Sequence, residues 1–327
     1  MAKPKIAFYW CGSCGGCEEA TVDLAEGLLE LAERVELAFW PIALDFKRRD
    51  VEALPDGSLA AAFINGVINS SEHREMAELL RRKSRHLIAY GSCAHLGGVP
   101  GLANLWDDEA ILKYIYQEAP SVANPEGVRP RPHLSLNGKE LDLPELWETV
   151  RPLDQVVEVD YYVPGCPPTP EVTEKAFEAL LSGDLPPKGA VLGAGKKALC
   201  HECPRNETKP EKLSIEDIKR VHQVIPDPEL CLLVQGVVCL GPVTREGCGA
   251  QCISANMPCT GCFGPLDRVV DFGAKGLSAL ASLVLVEQND EEGLASAFEA
   301  LPDPVGTFYR YSLPGSLLRR KRLMKRK

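Results

Sequence analysis

Thirteen cysteines among 327 residues constrain this chain more than any other feature, because twelve of them fall into groups and the first group opens almost at the N-terminus. The run CGSCGGCEE, from Cys11 to Glu19, directly follows the apolar stretch Ile6-Ala7-Phe8-Tyr9-Trp10. Cys14 and Cys17 form a C-x-x-C pair, whose two thiolates can reach one ion or cluster from a single tight turn. Gly12, Gly15 and Gly16 admit positive φ and let backbone N–H groups approach an anionic site. Two thiolates do not complete a four-ligand site. Cys93 lies just past the apolar segment 86–90, and Cys166 just past the valine-rich segment 156–159. All three loops follow predicted strands, and the carboxyl ends of strands in an open parallel sheet share one edge. Cys14, Cys17, Cys93 and Cys166 can therefore converge.

The remaining pattern fits such a sheet. Strands are expected at 5–10, 36–40, 59–64, 86–90 and 156–159, with helices over 18–35, 72–82 and 169–181, the last opened by Thr169 and Pro170. The helix over 18–35 is expected to place Ala20, Leu24, Leu28, Leu29 and Leu31 towards one broad face. Residues 97–150 interrupt this alternation, and Asn137-Gly138 between apolar residues marks a hairpin with a type I′ turn. The expected fold is α/β, a flavodoxin-like doubly wound parallel sheet over residues 1–185, followed by an irregular iron–sulfur domain over 186–327. The boundary is drawn at Leu185-Pro186-Pro187-Lys188-Gly189, a stretch that suits a linker.

Beyond it, Cys200, Cys203, Cys231, Cys239, Cys248, Cys252, Cys259 and Cys262 are interleaved with Gly and Pro and show little periodicity. Eight thiols make two four-thiolate sites, which leaves Cys11 over as a small, partly buried thiol beside the first loop. Thirteen cysteines in a chain expected to be cytoplasmic are expected to stay reduced, with metal or iron–sulfur ligation as their default role. Zinc would also suit the C-x-x-C pairs at 200/203 and 259/262; a first site at a sheet edge, together with three groups in one chain, favours an electron path.

A net charge of −10 argues against nucleic-acid binding. The exception is the basic tail, Arg319 to Lys327, either a docking arm or a solvated terminus. The absence of a leader and of any long apolar window leads to the expectation of a cytoplasmic chain with no direct membrane insertion. No G-x-G-x-x-G follows the first strand, so flavin or nicotinamide is expected on a partner.

The motifs C-G-G-C-E at 14–18, G-S-C-A-H-L-G-G-V-P at 91–100, P-G-C-P-P at 164–168, C-L-G-P-V-T-R-E-G-C at 239–248 and P-C-T-G-C at 258–262 resemble the small subunit of nickel–iron hydrogenases. CGGCEE, CHECPR at 200–205 and C-G-A-Q-C at 248–252 most resemble the methyl-viologen-reducing type associated with heterodisulfide reductase. The resemblance implies three [4Fe-4S] clusters: proximal on Cys14, Cys17, Cys93 and Cys166, medial on Cys248, Cys252, Cys259 and Cys262, and distal on Cys200, Cys203, Cys231 and Cys239. It also implies a hydrogenase large subunit holding the nickel–iron centre and an electron-accepting iron–sulfur or flavin subunit of a heterodisulfide-reductase-like complex.

Two positions depart from many family members. Cys200 stands where a histidine ligand is common, with His201 next to it, and Cys252 stands where a proline accompanies a three-iron medial cluster. Gly16 occupies the place of an extra cysteine in some oxygen-tolerant members. The related quinone-reductase subunit of respiratory complex I usually has two adjacent cysteines in its first loop; here Cys14 and Cys17 are separated. The alternative is an electron-transfer subunit whose partner lacks nickel chemistry. By the same resemblance Glu18 is a candidate proton relay, although a carboxylate there also favours the N-terminus of the helix it opens. His95 either donates to a cluster sulfur or is a loop histidine.

Overall fold

The computed structural model describes residues 3–284, 295, 299–301 and 303–318. The basic tail from Arg319 lies outside the described residues. Nine strands are described: β1 (Lys5–Trp10), β2 (Glu36–Phe39), β3 (Leu59–Asn65), β4 (Ile68–Ser70), β5 (Ser84–Tyr90), β6 (His133–Leu136), β7 (Lys139–Asp142), β8 (Leu146–Arg151) and β9 (Tyr161–Val163). Five of them form one parallel sheet in the order β2-β1-β3-β5-β9. Counted within the sheet alone, that order is the flavodoxin-like 2-1-3-4-5, whose switch point lies between β1 and β3.

Each central strand is buried on both faces, and its residues alternate between two cores. Phe8, Phe63, Ile88, Tyr90 and Phe177 pack on one side, while Ala7, Ile64, Leu87, Ala89, Met76 and Leu80 pack on the other. The helices that follow the strands are α1 (Gly16–Val22), α2 (Glu26–Arg34), α3 (Arg48–Glu52), α4 (Ser71–Lys83), α5 (Gly91–Leu96), α6 (Asp108–Lys113) and α7 (Pro170–Ser182). The Ser70 hydroxyl caps α4 by accepting from His73 N at 3.3 Å, and that of Thr169 caps α7 by accepting from Val172 N at 3.4 Å.

Three expectations need correction. The helix predicted over 18–35 is two helices, because Ala25 takes a left-handed φ of 51° and re-aims the chain. Leu24 and Leu31 still reach the core, whereas Leu29, placed on the apolar face by its spacing, is 69% exposed. The last sheet strand is 161–163, not 156–159. Both the backbone and the carboxylate of Asp160 engage Leu87, with Asp160 N donating to Leu87 O at 2.9 Å and Leu87 N donating to Asp160 Oδ2 at 2.8 Å. The chain thus enters the ladder only after Asp160, and the valines before it pack as half-buried side chains against the second core. The hairpin at Asn137-Gly138 forms as expected, both residues having positive φ, and β6 and β7 lie wholly exposed.

After α7 the chain is mostly turns, with α8 (Gln251–Ser254), α9 (Phe272–Ala281) and α10 (Pro304–Phe308) as its helices among the described residues. Two smaller cores hold it: one around Leu240, Val243, Phe272 and Phe308, the other around Leu199, Leu232, Val237 and Ile253. Leu192 and Phe263 belong instead to the first core of the sheet. Among the described residues no helix is long and apolar enough to cross a membrane.

Candidate metal centre

All thirteen cysteines are free. The first loop leaves the carboxyl end of β1, Cys93 sits in the helix that follows β5, and Cys166 lies in the loop between β9 and α7. The parallel sheet brings these ends to one edge. Burial pushes the Cys17 thiol well up, and the negative potentials of Cys93, Cys166, Cys14 and Glu18 push it further, which places these groups around it. Burial likewise raises Cys93, to about 12, with Cys166 and Cys14 adding to the effect. Glycines make room for the sulfurs. A Cβ on Gly91 would collide with Cys17 Sγ and one on Gly98 with Cys93 Sγ, while one on Gly16 would lie 3.5 Å from Cys14 Sγ. Gly91 and Gly98 also have positive φ, so the close approach and the backbone turn call for the same residue.

Cys11 is buried on the other face of the sheet from Cys17, packed with Ala7, Ile64 and Ala94. Strand alternation carries it away from the group.

Cys200, Cys203, Cys231 and Cys239 line a single small cavity, together with Arg205, Lys209, Gly241 and Ile253. A Cβ on Gly241 would stand 3.5 Å from Cys200 Sγ and 3.6 Å from Cys239 Sγ. These thiols wall a space instead of meeting at a point. Among the described residues no three Cys, His, Asp or Glu side chains are grouped to hold a single ion. His201 is exposed and does not line the cavity.

Cys248, Cys252, Cys259 and Cys262 lie between the other two groups. Burial raises Cys262 to about 12, followed by the influence of Cys248, Cys252 and Cys166, while a backbone N–H of Cys166 favours its ionised form. On the far side Cys259 N donates to Cys239 Sγ at 3.4 Å. Ser92, beside Cys93, donates its hydroxyl to Cys262 O. The middle group is therefore linked to the first through Cys166 and Ser92, and to the last through Cys259.

Glu18 is buried at the switch point, and its carboxylate accepts from Trp40 Nε1 and, at 2.6 Å, from Asn65 Nδ2. Burial raises its pKa, and the two hydrogen bonds partly offset that. Asn65 is itself held by Ser13, whose hydroxyl donates to Asn65 Oδ1 at 3.1 Å. Neither Trp40 nor Asn65 stood out in the sequence. A polar residue at the end of the otherwise apolar strand β3 was the available signal.

His95 lies against Tyr162 with ring centroids 4.4 Å apart and planes tilted by 35°, and it lines a cavity shared with Asp154 and Arg245 that contains no cysteine. Burial, with Arg245 adding to it, lowers its pKa to about 3.

The family profile described as "NADH ubiquinone oxidoreductase, 20 Kd subunit" matches residues 14–180. The chain is 42% identical over 320 residues to the iron-sulfur subunit of the F420-non-reducing hydrogenase of Archaeoglobus profundus, covering 97% of this chain and 98% of that one. It is 39% identical over 317 residues to the corresponding F420-non-reducing hydrogenase subunit of Methanothermobacter thermautotrophicus, covering 97% and 96%. Among solved structures, the [NiFeSe] hydrogenase of Desulfovibrio vulgaris Hildenborough aligns with a TM-score of 0.52 at 16% identity, over 82% of this chain and 95% of that chain, a likeness of fold.

Proposed function

The chain belongs to the iron–sulfur subunits of the F420-non-reducing hydrogenases, and from that premise we propose that it conducts electrons from dihydrogen oxidation in a nickel–iron large subunit, through three [4Fe-4S] clusters, to an acceptor subunit. The proximal cluster is assigned to Cys14, Cys17, Cys93 and Cys166, the medial to Cys248, Cys252, Cys259 and Cys262, and the distal to Cys200, Cys203, Cys231 and Cys239. When bound, such clusters take up and release single electrons at potentials set by charge, burial and hydrogen bonds to sulfur. The observation that carries the reading is the continuity of the groups: Cys166 against Cys262, and Cys259 N against Cys239 Sγ at 3.4 Å. The large subunit is proposed to dock at the sheet edge, a reading that the exposure of Cys14 supports. The acceptor, an iron–sulfur or flavin subunit of a heterodisulfide-reductase-like complex, belongs at the distal end. The setting we propose is cytoplasmic.

The raised thiol pKa values mean that ligand formation expels protons, which ties loading to pH. Anaerobically purified protein should carry about 12 iron and about 12 acid-labile sulfide per chain, the content of three four-cysteine clusters, and zinc near zero. Two stoichiometric zincs with one cluster would return the second half to a structural role.

Glu18 is proposed as a proton relay beside the proximal group. Glu18→Gln should slow dihydrogen-driven dye reduction by about 10²-fold, the low end for a proton-transfer group, with cluster spectra unchanged. Its folded pKa is raised, so its contribution to stability is full below the unfolded value and is lost as pH rises through the folded one. Glu18→Gln should therefore flatten that fall in urea titrations between acid and neutral pH. Wild-type turnover with the flattened stability profile would leave Glu18 a packing residue.

A further inference from the structure

Six residues beyond the second Cys-x-x-Cys cysteine, at 203, stands Lys209, whose ammonium donates to Cys200 Sγ at 3.0 Å and to Asn206 Oδ1 at 2.8 Å. Arg205, from the same turn, is 4% exposed, and its guanidinium donates to the carbonyls of Ile253 at 2.8 Å and Asp227 at 3.4 Å. Both cations line the four-cysteine cavity. Among the described residues neither forms an ion pair with a carboxylate. A buried guanidinium ordinarily has a counter-charge. The cavity lining holds no Asp or Glu, and its four cysteines are the groups there that become anionic on binding metal. The turn is pinned to the site from two directions, since Thr208 donates its hydroxyl to Arg205 O at 2.8 Å and accepts from Cys231 N at 2.8 Å. Lys209 is thus held at Cys200 Sγ, and the turn that carries both cations is tied to Cys231.

Resting on the distal assignment made above, we propose that Lys209, with Arg205 behind it, sets the reduction potential of the distal cluster by placing fixed positive charge at its Cys200 edge. Reduction adds one electron to an anionic four-thiolate cluster. A nearby cation stabilises the reduced form more than the oxidised one, and the potential rises. Electrons are then drawn to the end of the chain where the acceptor waits. Lys209 is a positioning charge and carries no electron itself.

The test is a redox titration followed by electron paramagnetic resonance on the complex with its large subunit. Cys200→Ser identifies the distal signal as the one it alters. Lys209→Met should lower the reduction equilibrium constant of that signal about tenfold, or 59 mV for a one-electron couple. Lys209→Arg should hold it within about threefold of wild type, while the proximal and medial signals stay in place in both. A distal potential unmoved in Lys209→Met, with the cluster present, would overturn the proposal and leave the distal assignment standing. If no signal responds to Cys200→Ser, the distal assignment itself fails and the proposal with it. Loss of the signal in both Lys209→Met and Lys209→Gln would make Lys209 an assembly residue and overturn the tuning role as well.

Discussion

Cys17→Ala is expected to abolish dihydrogen-driven dye reduction, whereas Cys11→Ala should leave most of it intact. The two residues are six positions apart in one loop and both are buried, yet they lie on opposite faces of the sheet. Cys17 is surrounded by Cys93, Cys166 and Cys14, in the group proposed to stand next to the large subunit. Its loss would remove the first step of the proposed path, since the proximal group is the one relay proposed next to the large subunit. Cys11 contributes packing among Ala7, Ile64 and Ala94, so truncating it should cost about 1 kcal/mol, as a small core deletion does. Dye reduction by the purified complex, with the proximal resonance recorded in parallel, checks both. A proximal signal lost in Cys11→Ala but kept in Cys14→Ala would mean that the wrong overlapping pair had been chosen.

Iron removal should have the second largest effect, and an uneven one. We propose a division of the chain near residues 185/186, with the second part depending on its clusters for stability. Its cores are small and its backbone largely turns, so ligand free energy becomes folding free energy. The sheet has two extended cores of its own and should only loosen at three loops. Limited proteolysis of iron-stripped protein is expected to cut throughout residues 190–265 and to leave a fragment close to 1–185. Equal resistance with and without iron would show a metal-independent core in the second part.

Much of this was legible in the sequence because the cysteine loops and the strands report on one another. A loop rich in Cys and Gly after an apolar run locates both the end of a strand and the position of a thiol, and the order of the sheet then brings the thiols together. The failures have local causes. The valine run 156–159 reads as a strand by composition, but the Asp160 carboxylate takes the Leu87 N–H and delays pairing by a few residues. The break falls on Ala25, itself a good helix former, and the nearby sign of it in the sequence, Gly27, lies two residues further on. Partners of the Glu18 carboxylate come from β3 and from the residue just past β2, and such a clamp depends on the register between strands, which periodicity does not carry. Lys209, six residues past the CxxC pair, did not stand out in the sequence, because its approach to Cys200 is set by the turn at Thr208.

Phe263, adjacent to Cys262, is seated in the core of the sheet with Phe8, Phe63 and Phe177, and it is 2% exposed. In a chain made from its N-terminus, the sheet can assemble long before that ring has been synthesised. Leu24, Leu31, Val172 and Phe177 can already cover that side of the sheet, and the place left beside them is filled only when the segment bearing Cys259 and Cys262 comes home. Metal insertion at the proposed middle cluster would act on the same few residues that complete this face. A nascent chain stalled before residue 263 would expose an apolar socket to chaperones, and the finished chain would hide it.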